Sequence, residues 1–97
     1  MTKKCEKYNW IYNKWSEISD IPVSVQGCSA CCAKNKIFVF GGKNILAKEI
    51  SKIQVYNIST DFWNFMKTQL PEKSYELCSL SLPKTNEILI FGQFLSK

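Results

Sequence analysis

The chain repeats itself, and this self-similarity constrains its fold more than any other feature. Tyr8-Asn9, five residues and Trp15 recur as Tyr56-Asn57, five residues and Trp63, a displacement of 48 at all three matched positions. Farther along, Pro22 matches Pro71 at 49, Cys28-Ser29 matches Cys78-Ser79 at 50, and Ile37-Phe38-Val39-Phe40-Gly41 matches Ile88-Leu89-Ile90-Phe91-Gly92 at 51. Three single-residue insertions, each in an expected loop, account for the drift. A fixed period within about 20 to 50 residues marks stacked units, none of which can bury its apolar face alone.

Within one period the apolar and β-branched runs are short and bounded by polar turn clusters, a pattern of strands rather than helices. Residues 29–32, 36–40, 53–57 and 62–66 are expected to be the four strands of one complete unit. Residues 5–8 and 14–18 read as the third and fourth strands of a preceding unit, and residues 77–82 and 87–91 as the first and second of a following one. The chain is therefore organised as half a unit over 1–18, a whole unit over 27–66, and another half over 76–97.

The order of residues in the complete unit resembles the kelch motif: an apolar strand ending in the doublet Gly41-Gly42, a variable stretch, then Tyr56 and, seven positions later, Trp63. Tyr8 and Trp15 repeat the second half of the motif, and Gly92 is what remains of a second doublet, followed here by Gln93. The resemblance runs from about Lys7 to Gly92. It implies an all-β fold of antiparallel four-stranded kelch blades. Two blade-equivalents are too few for a ring, which typically has about four to eight, so a partial, unclosed β-propeller is expected. Further blades or additional chains are then needed to close it, and the chain reads as a fragment of a larger propeller protein. The implied function is a non-catalytic protein–protein interaction scaffold without a cofactor. The alternative is a carbohydrate-binding or sugar-modifying kelch propeller, similar in fold to galactose oxidase but without its copper site.

Composition narrows the chemistry. There is no histidine, so neither a Ser-His-Asp or Cys-His nucleophile pair nor an imidazole metal site can be built from this chain. Among five cysteines, Cys28 and Cys31 have zinc-like spacing but no second pair, so no metal site is expected and the thiols read as small core residues. A net charge of +5 comes from scattered lysines, and arginine, the best reader of guanine edges, is absent; a nucleic-acid partner is not expected. No apolar run approaches the ~20 residues of a membrane-spanning helix. With an odd cysteine count and no apolar segment behind the basic amino end, the expected setting is cytoplasmic.

Site expectations follow from topology. Gly41 and Gly42 suit a positive φ and a close backbone approach, and Tyr56 and Trp63 suit packing across neighbouring strands. In a four-stranded meander the connections 19–26, 42–50 and 67–75 emerge on one face and the tight turns 33–35 and 58–61 on the other. Long loops carry contacts. A protein partner of acidic character is thus expected on the long-loop face, meeting Lys43, Lys48, Lys67 and Lys73, with Asn44 and Tyr75 beside them.

Overall fold

A computed structural model describes residues 3–71, 74–81 and 87–94, with side chains beyond residue 71 described only at 87, 88 and 90. The described residues form eight strands and no helix: β1 (Cys5–Asn9), β2 (Lys14–Ile18), β3 (Ser29–Ala33), β4 (Lys36–Phe40), β5 (Ile53–Asn57), β6 (Phe62–Phe65), β7 (Ser74–Ser81) and β8 (Ile88–Phe94). All pairings are antiparallel, giving a two-stranded sheet β1-β2, a four-stranded sheet β3-β4-β5-β6 and a two-stranded sheet β7-β8. This is the expected four-stranded blade flanked by two half-blades, an unclosed array. The innermost strand β3 lies against β7, the equivalent strand of the next unit, as a radial array requires.

Strand alternation divides the complete blade into two faces with different work. Phe40 and Ile53, cross-strand partners, form the core of one face with Leu70. Around them pack Phe38, Val55 and Cys31 and, from β8, Ile88 and Ile90. Full burial of a side chain such as Phe40, Ile53 or Leu70 contributes about 1.5 to 3 kcal/mol and the partly buried ones less, so this seam is where the blade and the following half-blade are held together. Ile88 and Ile90 are the repeat equivalents of Ile37 and Val39, which face the opposite way on β4, toward the preceding unit. Each unit thus turns one face forward and the other back.

The doublet closes β4. Gly41 has φ 62° and Gly42 φ 97°, and both are buried. A Cβ on Gly42 would sit 2.9 Å from the Gln26 carbonyl oxygen and 3.1 Å from the side chains of Val25 and Cys28, so only glycine fits between the two long connections.

Two strands depart from the sequence reading. β7 begins at Ser74, so Tyr75 lies within a strand opposite Gln93 rather than in a loop. β8 continues through Gly92, opposite Leu77, to Phe94. A lone glycine followed by glutamine can stay in a ladder, with a register irregularity between Tyr75 and Leu77 absorbing the mismatch.

Candidate functional site

The back face of the complete blade holds a segment of the chain that leaves β2. Tyr56 and Trp63 are opposite one another on β5 and β6, their rings 5.0 Å apart and tilted by 46°. Between them in sequence, Asp61 takes φ 52°, a left-handed conformation that Asp and Asn tolerate, and this aims its carboxylate back over the sheet. Asp61 Oδ1 accepts the Tyr56 hydroxyl at 2.6 Å and the Ser19 N–H at 2.9 Å, and the Asp61 carbonyl accepts the Ser19 hydroxyl at 2.7 Å. The Trp63 indole N–H donates to the Ser19 carbonyl at 2.9 Å. Both main-chain groups and the side chain of Ser19 are therefore taken. Four residues on, Gln54, with 0% of its surface exposed, does the same for Val23: Oε1 accepts its N–H at 2.9 Å and Nε2 donates to its carbonyl at 3.0 Å.

These bonds set the local electrostatics. The phenol of Tyr56 is pushed up to about 12, first because ionising it forfeits the bond to Asp61, then through burial. The same hydrogen bond, with the Ser19 N–H, holds the Asp61 carboxyl below the usual carboxylate range. Burial pushes the Cys28 and Cys5 thiols up, which keeps them protonated and poorly nucleophilic.

The first half-blade carries the same device, exposed among the described residues. Tyr8 and Trp15 are paired across β1 and β2 with rings 4.8 Å apart and tilted by 40°. Asn13, at φ 52°, accepts the Tyr8 hydroxyl at 2.6 Å. Asn9 Oδ1 takes the N–H groups of Ile11 and Tyr12, as Asn57 Oδ1 takes those of Ser59 and Thr60. Yet Trp15 is 67% exposed. A cavity of about 530 Å³ lies against Tyr8, Trp10, Tyr12 and Trp15.

On the opposite edge the long connections meet. Gln26 and Lys43 exchange backbone hydrogen bonds at 3.0 and 2.8 Å, joining the 19–26 and 42–50 loops, and the Leu70 N–H reaches the Ser51 carbonyl at 2.8 Å. Asn44 is half-buried and spent within its loop, where its Oδ1 accepts the N–H groups of Leu46 and Lys48 at 2.9 and 3.2 Å. Lys48 and Lys67 are exposed, Lys43 is partly buried, and Lys73 lies outside the described residues, as does the side chain of Tyr75. The loop tip presents Ile45 and Leu46, each 71% exposed, two residues that reasoning from charge passed over. At the other edge Asn35 and Ser59 side chains bond each other, tying the two tight turns together.

Comparison with known proteins agrees with this architecture. The kelch motif model matches residues 25–68, the span from the connection before β3 to just past β6. Kelch-like protein 38 of Rattus norvegicus is 27% identical over 89 residues, which cover 92% of this chain and 15% of that protein. Kelch-like protein 25 of Xenopus tropicalis is 33% identical over 70 residues, covering 72% of this chain and 12% of the relative. The chain thus spans only a small part of the curated relatives it matches. Among solved structures, that of YjhT superposes with a TM-score of 0.65 at 19% identity, covering 72% of this chain and 22% of the other, a likeness of fold alone. Doublet, tyrosine and tryptophan stand in the motif's order on a four-stranded blade, and on these grounds the chain belongs to the kelch-repeat family.

Proposed function

We propose that the chain is a non-catalytic protein–protein interaction scaffold working within a larger propeller in the cytoplasm, with the long-loop face as its docking surface. One observation carries this reading. The 42–50 loop is pinned at its base by Gly42 and the Gln26–Lys43 ladder, while its tip extends Ile45 and Leu46 into solvent with Lys48 beside them. A rigid base under an exposed apolar tip rimmed by cations suits a partner that offers an apolar pocket within an acidic rim. The Asn57 and Asn9 turns spend their side chains on their own backbones and offer less.

The test is capture of partners by the immobilised chain before and after paired changes. Ile45→Ser with Leu46→Ser, and separately Lys48→Ala with Lys67→Ala, are expected to abolish or weaken recovery of specifically bound proteins. Undiminished recovery with both pairs, together with loss on changing Ile58 and Ser59 in the tight turn, would place docking on the opposite edge and overturn the assignment.

A further inference from the structure

The turn between β1 and β2 carries Trp10, Ile11 and Tyr12 at its tip, each between 68% and 78% exposed. Tight turns ordinarily favour Gly, Pro, Asn, Asp and Ser, and the repeat equivalents of this tip, at the displacement of 48, are Ile58, Ser59 and Thr60. Those three stay exposed although their blade has all four strands and packed neighbours on both sides, the Ser19 connection before it and β7 after it. Exposure of the tip is thus a property of the turn's place in a blade, and the side chains that fill it at 10–12 are apolar. Two of its backbone donors are already paired. Asn9 Oδ1 accepts the Ile11 and Tyr12 N–H groups at 3.0 and 3.1 Å, and the Tyr8 hydroxyl closes the base of the turn by donating to Asn13. A tip so capped leaves water at a lower polar cost than an open one.

Cations stand behind the apolar tip. Lys14 follows the turn as the first residue of β2. Lys34 and Lys36 frame the β3–β4 turn, which is bonded to the β5–β6 turn through Asn35 and Ser59 and so shares an edge with Ile58, itself 44% exposed. The repeat sets the 10–13 turn at the same edge. All three lysines are exposed and make no ion pair among the described residues. Asp61, the acid on this edge of the complete blade, is spent in the Tyr56–Asp61–Trp63 clasp that holds Ser19. Glu87 opens β8 in the half-blade farther from the tip.

We propose that this tight-turn edge rests on an anionic bilayer surface, with Trp10, Ile11 and Tyr12 entering the headgroup boundary and Lys14, Lys34 and Lys36 meeting the lipid phosphates. Indole and phenol rings suit that boundary, having an apolar body and one polar end. Lysines behind them add attraction to negative headgroups. Consecutive side chains at the apex of a turn diverge, so one pocket on a partner protein does not cover all three, whereas a fluid phase does. The Asn9 side chain, spent on its own backbone, leaves such a protein little to recognise. The contact is peripheral and lies at the edge opposite the 42–50 loop, so it stands or falls independently of that docking surface.

The experiment mixes the full chain with vesicles of phosphatidylcholine, alone or with about a third of phosphatidylserine, and measures the bound fraction by sedimentation. Binding at least about tenfold tighter to the anionic vesicles is expected, falling as salt is raised. Trp10→Ser with Ile11→Ser should weaken it at least about tenfold, and Lys14→Gln, Lys34→Gln and Lys36→Gln about fivefold each. These positions are exposed, so the urea midpoints of the variants should stay with the parent's. Lipids brominated on the acyl chain should quench tryptophan emission of the bound chain, and Trp10→Phe, which keeps the tip apolar, should remove most of that quenching. No binding to either vesicle, whether or not the same tip captures a protein, would overturn the proposal. So would equal binding to both vesicles, binding indifferent to the tip and lysine changes, or quenching that survives in Trp10→Phe.

Discussion

Gln54 offers the sharpest test of how one unit holds the next. Its amide is fully buried and fills both hydrogen-bonding groups of Val23, so Gln54→Leu keeps the approximate volume while stranding an N–H and a carbonyl. Each stranded group costs about 1 to 3 kcal/mol. Val23 is only partly buried, so water relieves some of that cost, and the added apolar burial of leucine returns about 1 kcal/mol. The expected net loss is about 2 to 4 kcal/mol, a large fraction of the stability of a small domain. Urea unfolding followed by tryptophan fluorescence measures it. Gln54→Glu then isolates the polar contribution. A carboxylate can accept from the Val23 N–H but repels the Val23 carbonyl, and burial penalises its charge; the protonated acid restores one donor and one acceptor. The folded-state pKa of the introduced acid therefore lies above its unfolded value. The stability this group contributes is complete below the unfolded pKa, near 4.3 for an ordinary glutamate, and is lost as pH rises through the folded value. The deficit of Gln54→Glu against the parent should be greatest near neutrality and shrink on acidification. A Gln54→Leu cost within about 0.5 kcal/mol, or a deficit in Gln54→Glu that does not change with pH, would mean that Gln54 is not what anchors the connection.

Trp63→Ala removes a partly buried ring and its bond to Ser19, so it should cost about 2 to 4 kcal/mol, whereas Trp10→Ala, at 78% exposure, should stay within about 0.5 kcal/mol by denaturation midpoint. Equal losses would place the repeat register wrongly. Tyr56, its phenol raised to about 12, favours the fold while protonated, so its contribution is complete below its unfolded pKa near 10 and is lost as pH rises to the folded value. Between those limits the parent should lose stability relative to Tyr56→Phe, and a constant difference between the two proteins over that range would refute the Asp61 bond as the cause.

The strand frame was legible because a repeated chain states each element twice. Residues 14–18, 36–40 and 53–57 are strands with the bounds expected of them, and Tyr56 and Trp63 pair across β5 and β6 as their spacing suggested. What escaped notice has a physical reason. Asp61 and Asn13 hold equivalent places but differ in charge; what they share is a side-chain oxygen and a left-handed backbone, neither of which a match of residue letters brings out. Gln54 corresponds to Glu6, so its bidentate hold on Val23 has no identical partner in the repeat. Ser19 and Thr68, matched at the displacement of 49 that also relates Pro22 to Pro71, share only a hydroxyl. Hydrogen-bonding equivalence tolerates substitutions that close packing, as at Gly42, does not.

This difference separates architecture from recognition within the chain. Asp61, Trp63 and Gln54 spend their polar groups on the connection before the blade, Tyr56 spends its hydroxyl on Asp61, and Asn57 spends its own side chain on the turn that shapes the clasp. Groups so committed have nothing left to offer a partner without loosening the blade. Residues able to change without that penalty are those whose backbone is fixed by others. In the 42–50 loop, Gly42, Asn44 and the Lys43 main chain set the path, while the side chains of Ile45, Leu46 and Lys48 project from it. Specificity on a repeat scaffold has to come from positions that the repeat leaves unconstrained, and at the displacement of 51 the residues matching Ile45 and Leu46 are Ser96 and Lys97. An apolar pair held on a rigid base loses little freedom when it is covered, so most of the free energy of burying it remains available for binding.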